Sequence, residues 1–305
     1  MAVILDSNLQ SDLRLAAVLD RALYELLADS ASIRNTGTVG YYGTINGTGA
    51  ATKRVRLAGL NGTNAMATTA EVADPGNTSL TDASSDITVA RGSLRYDISD
   101  LADITGFIGS DVNPVRLAGA MVTAYERWWN SLLAVSIQGF STDAGTSGVN
   151  MSVDDFFDAI AILEVQNVNG PYTCLLHPRQ VADLQSSIRG EAGAFQFMAA
   201  TADMLSIKGQ SYQGTLLGVD IFRSSDVVGD ATNRHGAMWG AGCLGYADAL
   251  PPTPMSVVST TYADTPIMVE FSRVGAEALT KVIGNGYAGT AIIQDAAGCG
   301  IVTDQ

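Results

Sequence analysis

Lysine is almost missing from this sequence: Lys53, Lys208 and Lys281 are the only three in 305 residues, and 17 Lys+Arg stand against 31 Asp+Glu for a net charge of −14. A protein that holds nucleic acid neutralises phosphates with a basic stripe. The balance here argues against sequence-specific DNA or RNA binding, and against attachment to an anionic membrane surface. Histidine is scarcer still, with only His177 and His235. The cysteines Cys174, Cys243 and Cys299 are odd in number and widely spaced, with no Cys-x-x-Cys, so neither a zinc site nor a disulfide framework is expected. Cys174 sits in an apolar run and reads as a small buried hydrophobe, and the set suits a reducing compartment. No apolar run is long enough to span a membrane. Met1-Ala-Val-Ile-Leu5 meets Asp6 at once, so no signal peptide is expected and the chain should stay soluble in the cytosol that makes it. Only 16% of residues are charged while 47% are hydrophobic. That is too apolar for disorder and too lightly charged for a lone domain with a wet rim; it fits a chain whose outer faces are covered by other chains.

The motifs of catalysis are missing too. There is no Gly-x-Ser-x-Gly elbow, no His-Glu-x-x-His and no Gly-Lys-Ser/Thr phosphate loop. Residues 43–49 are glycine-rich but lie in a predicted hairpin and open no helix, so they do not form a dinucleotide site. His177 precedes Pro178 at a strand–helix junction, where its side chain can satisfy amides of the first turn. His235 reads as an exposed loop-to-strand residue. Asp154 and Asp155 suit the first turn of a helix, where the dipole favours carboxylates. No catalytic, cofactor-binding or metal-binding residue is predicted.

What is present is an ordered succession of elements. Residues 9–27 have the spacing of an amphipathic helix. Residues 36–85 turn to Gly, Thr, Asn and Ala, with strands predicted over 39–45 and 53–57 and strong turn signals at Asn46-Gly47, Asn61-Gly62 and Asp74-Pro75-Gly76. This is a two-stranded excursion with little core of its own, which must lie against something else. Residues 86–99 alternate, with Gly92 marking a bulge, and 100–104 suggest a short helix. Asn113-Pro114 opens the strongest helix, over about 114–138 and roughly 37 Å long at 1.5 Å per residue. It carries Trp128 and Trp129 and reads as a structural spine, with a ligand pocket as the alternative. Ser152-x-x-Asp155 caps a helix over 153–166. A buried strand over 172–176 runs into a helix from Pro178 to about Ile188. Further strands are expected at 216–222, 235–240, 242–247, 267–271, 279–283, 289–293 and 300–303.

Three stretches carry a likeness: Cys174-Leu-Leu-His-Pro-Arg-Gln180 with Leu184 beyond; Gly214-Thr-Leu-Leu-Gly-Val-Asp-Ile221 with Ser224-Ser225-Asp226; and Gly236-Ala-Met-Trp-Gly240 with Leu244-Gly-Tyr-Ala247. In that order, behind an arm, a hairpin and a long helix, they resemble the tailed-bacteriophage major capsid protein of the Hong Kong 97-type fold, over nearly the whole chain. The resemblance implies an α+β fold in five parts: an N-terminal arm with its helix (1–35), an extended E-loop hairpin with flanking strands (36–97), a P-domain with the spine helix (98–168), an A-domain (169–260), and C-terminal strands returning to the P-domain (261–305). It implies a non-enzymatic structural protein of the virion, assembled in the host cytoplasm. Copies would form hexamers and pentamers of an icosahedral head that encloses double-stranded DNA without reading its sequence, and no membrane is involved. Scaffolding, portal and decoration proteins are the implied partners. A separate scaffolding protein is expected because the arm helix starts within about ten residues. Some members join an E-loop lysine to an asparagine of another subunit. Lys53 is the hairpin's only lysine and Asn285 lies near the C-terminus, but no motif aligns either with a reacting pair. An encapsulin-like compartment and an acidic soluble hydrolase are the alternatives. Lys53, Arg54, Arg56, Arg91 and Arg95 gather on and beside the hairpin of this acidic chain; they form either a solvated strand face or a contact with acidic surface on an adjacent subunit.

Overall fold

The computed structural model describes residues 38–58, 68, 71, 82–99, 114–190, 197–208, 211–227, 229–230, 232–249, 259–260 and 267–304. The helix expected over 9–27, the turns at Asn61-Gly62 and Asp74-Pro75-Gly76, and the helix expected over 100–104 lie outside them.

Two sheets and a hairpin make the α+β frame. The first sheet runs β1 (Gly40–Thr44), β11 (Leu244–Asp248), β14 (Leu279–Ile292), β13 (Ile267–Val274), β12 (Ser259–Thr260), with β4 (Ala90–Ser99) also on β14. The second runs β5 (Asp143–Ala144), β15 (Gly298–Asp304), β10 (Asn233–Trp239), β6 (Thr173–Leu176), β9 (Val219–Arg223), β8 (Tyr212–Leu216), β7 (Phe197–Ala199). The chain crosses between them more than once: β11 belongs to the first sheet, β15 to the second. The hairpin is β2 (Thr52–Ala58) against β3 (Asp82–Thr88), in register from Thr52↔Thr88 to Ala58↔Asp82.

Helix α1 (Pro114–Ile137) opens on Pro114 as its sequence predicts and covers β14. Its inner stripe of Met121, Val122, Tyr125, Trp129, Leu133 and Ile137 is buried. Trp129, Leu133 and Ile137 enter a core that also holds Leu175, Phe222 and Trp239 of the second sheet and Leu244 and Ala288 of the first. The C-terminal half of α1 is therefore the wedge that joins the sheets. Helix α2 (Val153–Val165) begins with the predicted capping box: the Asp155 amide donates to Ser152 Oγ at 3.2 Å, and the Ser152 amide donates to Asp155 Oδ2 at 2.8 Å. Its inner face, Val153, Phe156, Ala159 and Leu163, packs with Cys174, Leu176, Met238, Cys299 and Ile301. Helix α3 (Pro178–Gly190) follows β6, and a short α4 (Ala202–Lys208) lies beside β8.

Four local expectations change. The strand predicted over 39–45 is not an arm of the hairpin: β1 pairs parallel to β11, and β2 finds β3 instead. Gly92 is no bulge, since it lies in register opposite Gly286. A Cβ there would stand 2.6 Å from Trp128 Cδ2, so its glycine serves the packing of α1. The break comes instead at Val89, whose amide turns to the Ala51 carbonyl at 2.9 Å. The single strand expected over 216–222 is a hairpin, with Leu217 (φ 53°) and Gly218 (φ 81°) as its two-residue turn. A primed turn requires that left-handed backbone, and leucine in place of asparagine hides it. Finally, the strands expected at 279–283 and 289–293 belong to one 14-residue strand, β14, running through Gly284 and Gly286.

Trp129→Ala should destabilise the isolated chain by about 3–5 kcal/mol, while Val135→Ala, on the exposed side of α1, should stay within about 0.5 kcal/mol. Chemical denaturation of the two variants checks this.

Candidate inter-subunit surfaces

The five cations singled out in the sequence fall into two groups. Lys53, Arg54 and Arg56 lie on β2. Strand alternation turns Lys53 and Val55 one way, Arg54 and Arg56 the other. Val55 and Ile87 are buried with Ala247 and Ile293, which seats the base of the hairpin on the first sheet. Ser85 Oγ adds a hydrogen bond to the Ile292 carbonyl at 2.6 Å. The opposite face of the hairpin is open. There Arg54 grips Asp86 with two bonds, Nε to Oδ1 at 2.8 Å and Nη2 to Oδ2 at 2.9 Å. That guanidinium holds the Asp86 carboxyl below its ordinary range. Arg56, also exposed, makes no ion pair with a described residue.

Arg91 and Arg95 lie on β4. Both Nε and Nη2 of Arg91 reach Asn285 Oδ1, at 3.1 and 2.7 Å, and Arg95 Nη2 reaches Asp97 Oδ2 at 2.7 Å. Asn285 is itself buried, with its Nδ2 toward Glu270 Oε1 at 3.5 Å. Arg54, Arg91 and Arg95 thus have partners within their own chain, and Lys53 lies half-buried on the seated face; Arg56 is the cation on the open face without an ion pair to a described residue.

His177 does cap α3. Its Nδ1 accepts from the Arg179 amide at 3.2 Å, and Gln180 Oε1 accepts from the His177 amide at 3.0 Å. The fully buried Gln180 then donates Nε2 to Thr303 Oγ1 (2.8 Å) and the Ile301 carbonyl (3.2 Å), tying the helix to β15. Burial, and then the Arg234 charge, hold the His177 imidazole below its ordinary pKa. His235 is half-buried on β10, 3.7 Å from Asp230 Oδ2. Hydrogen bonds from Thr232 and Asn233 hold the Asp230 carboxyl well below its ordinary range. The three thiols are buried, and burial raises each of them, Cys299 to about 12. Lys208 Nζ sits 2.6 Å from Asp220 Oδ2 and 4.8 Å from the Tyr212 ring, which ties α4 to the sheet. Trp128 lines a cleft of about 150 Å³ with Met121, Tyr125, Gly92, Gly284 and Gly286, whereas Trp129 belongs wholly to the core. Among the described residues no three His, Cys, Asp or Glu side chains gather as metal ligands, and no helix is long and apolar enough to cross a membrane.

No family model and no curated protein matches the sequence. Solved structures do match its backbone. The capsid of cyanophage P-SCSP1u superposes with a TM-score of 0.60 at 13% identity, covering 90% of this chain and 88% of that one. The capsid of Ralstonia phage GP4 gives 0.61 at 9% identity, with 90% and 91% covered. The holo-SrpI encapsulin complex of Synechococcus elongatus PCC 7942 gives 0.61 at 13% identity, with 87% and 85% covered.

The chain has the Hong Kong 97-type capsid fold.

Within this capsid fold, the sequence reading picked out the hairpin cations but missed the outward stripe of α2. Asp154, Phe157, Asp158, Ala161, Glu164 and Val165 are its exposed positions, at helical spacing. The signal was there: three of those six residues are acidic, and the helix contains no cation.

Because the imidazole pKa is depressed in the fold, the stability tied to a neutral His177 is present above its unfolded pKa of about 6.5 and is lost as pH falls through the folded value. Urea melts of the wild-type subunit should therefore weaken from pH 7 to pH 5 more than those of His177→Asn, whose amide oxygen caps at either pH. Equal slopes for the two proteins would contradict this assignment.

Proposed function

We propose that this chain is the shell-forming major capsid protein of a tailed double-stranded DNA phage. Copies tile as hexamers and pentamers into an icosahedral head that encloses the genome. The observation that carries the reading is the extent of the likeness: capsid structures match about nine-tenths of the chain from end to end, rather than one shared motif.

The physics of the chain supports it. A head needs subunit contacts on the order of 2,000–5,000 Å², and the subunit has surface to give. Val165, Ile207 and Met198 are 82%, 75% and 58% exposed. The hairpin is two strands whose outer face meets nothing of its own chain among the described residues, and two strands alone are marginal in water. In this reading β2–β3 is the base of the E-loop, α1 the spine of the P-domain, and the second sheet with α2 and α3 the body of the A-domain. An acidic subunit repels the phosphate backbone, so the genome is contained without being gripped. The role is structural, the location is the virion, and assembly takes place in the host cytoplasm. A separate scaffolding protein, a portal and a decoration protein are the partners. Lys53, Arg54, Arg56, Arg91 and Arg95 lie at or near contacts between copies, with Arg56 the cation freest to bridge them.

The encapsulin match favours one second reading, a shell that encloses protein rather than DNA. Co-expression with the neighbouring genes, followed by sedimentation and electron microscopy, tests both. Closed shells filled with DNA are the expected result. Shells filled with a cargo enzyme would shift the assignment to a compartment, and a species that stays monomeric would overturn the container role.

A further inference from the structure

We propose that the outward face of α2 is the seat of the β2–β3 hairpin of a second copy of this chain. The contact rests on the shell reading above and names two of the surfaces that make it. On one side stands the stripe Asp154, Asp158, Ala161, Glu164 and Val165, exposed along α2, while Val153, Phe156, Ala159 and Leu163 face inward. None of the carboxylates of Asp154, Asp158 and Glu164 is ion-paired with a described residue, and no cation lies on the helix to neutralise them. On the other side stands the open hairpin face, with Arg54 and Arg56. The Arg54 guanidinium is already held in place by its two bonds to Asp86, and Arg56 is free of any ion pair with a described residue.

The two patterns share a pitch. Carboxylates at i and i+4 on a helix stand about 6 Å apart along the axis. Side chains at i and i+2 on one strand face stand about 6.7 Å apart. Asp154 and Asp158 can therefore meet Arg56 and Arg54 together. Beyond them Ala161 and Val165 extend the stripe as an apolar strip, against which arginine stems can lie.

A second copy is the occupant because one chain uses its two surfaces in different places. The hairpin rests on β11 and β14 of the first sheet; α2 rests on β15, β5 and β10 of the second. Hairpin to helix is also a head-to-tail contact: each copy gives one surface and receives the other, and repetition of such a contact closes rings. In a chain of net charge −14, where copies repel one another at long range, a local patch of opposite sign sets the register of approach.

The test is a charge exchange in the co-expressed assembly system. Arg56→Glu alone, and Asp154→Lys with Asp158→Lys, should each lower the yield of closed shells by about tenfold or more, with circular dichroism of the subunit unchanged. All three substitutions together should recover most of that yield. Normal shells from either reversal, or a combined variant no better than the worse of the two, would overturn the contact. Should a reversed variant fail to fold, Arg56→Cys copies mixed with Asp154→Cys copies give a second route, with a bifunctional thiol reagent whose spacer bridges the guanidinium–carboxylate separation that a direct disulfide cannot. The native thiols are buried, so treated shells should yield a cross-linked dimer on a denaturing gel; its absence would overturn the contact equally. Wild-type protein that never assembles would bring down the shell reading itself, whereas wild-type shells indifferent to these changes would remove only the hairpin–helix contact.

Discussion

The close approach of α1 to the glycine-bearing middle of β14 is the constraint on which the rest of the fold depends. β14 carries the pairing of the whole first sheet: β4 and β13 flank it from Leu279 to Gly286, and β11 pairs with its last five residues. A helix can lie low on that strand only where side chains give way. Gly92 of the neighbouring β4 provides this beneath Trp128, whose ring a Cβ there would meet at 2.6 Å, and Gly284 of β14 lies beside Met121 in ordinary contact. Once α1 is down, Trp129 and Leu133 project into the seam where the sheets meet and Leu175, Phe222 and Trp239 close around them. Ser136 Oγ, 2.7 Å from Thr290 Oγ1, fixes the far end of the helix to the same strand.

A chain built this way is firm at its centre and, on the proposed reading, completed at its margins by other copies. The fully buried residues described on α1 and α2 are apolar or aromatic, whereas the hairpin turns Val55, Ile87 and Ser85 to its own chain and Arg54 and Arg56 away. The low charge content suits the proposed shell, in which faces that stay wet need charge for solubility and faces that meet a neighbour need apolar area with a few charges for orientation.

Much of this was legible in the sequence where the signal was local. Asn113-Pro114 and the apolar repeat announced α1 to within a residue of its end, Ser152-x-x-Asp155 announced the cap of α2, and His177-Pro178 announced the cap of α3, because each depends on neighbours three or four residues away. Partner choice was not legible. Nothing in Gly40–Thr44 says that it lies beside a strand two hundred residues later, and Gly92 looks like a break until the tryptophan that needs it is in view. Leu217 carried a turn in a residue type that avoids one. On the candidate surface, the clustering of Lys53, Arg54 and Arg56 was visible, but the commitment of Arg54 to Asp86 and of Arg91 to Asn285 required the register of strands far apart in the chain.

The central claim is that the hairpin completes its packing on another copy. Hydrogen–deuterium exchange of residues 52–58 and 82–88, compared between free subunits and assembled particles with β14 as the internal reference, tests it most directly. Fast exchange in the free subunit that becomes strongly protected on assembly, with β14 slow in both, is the predicted result. Hairpin amides that exchange equally in both states would contradict it.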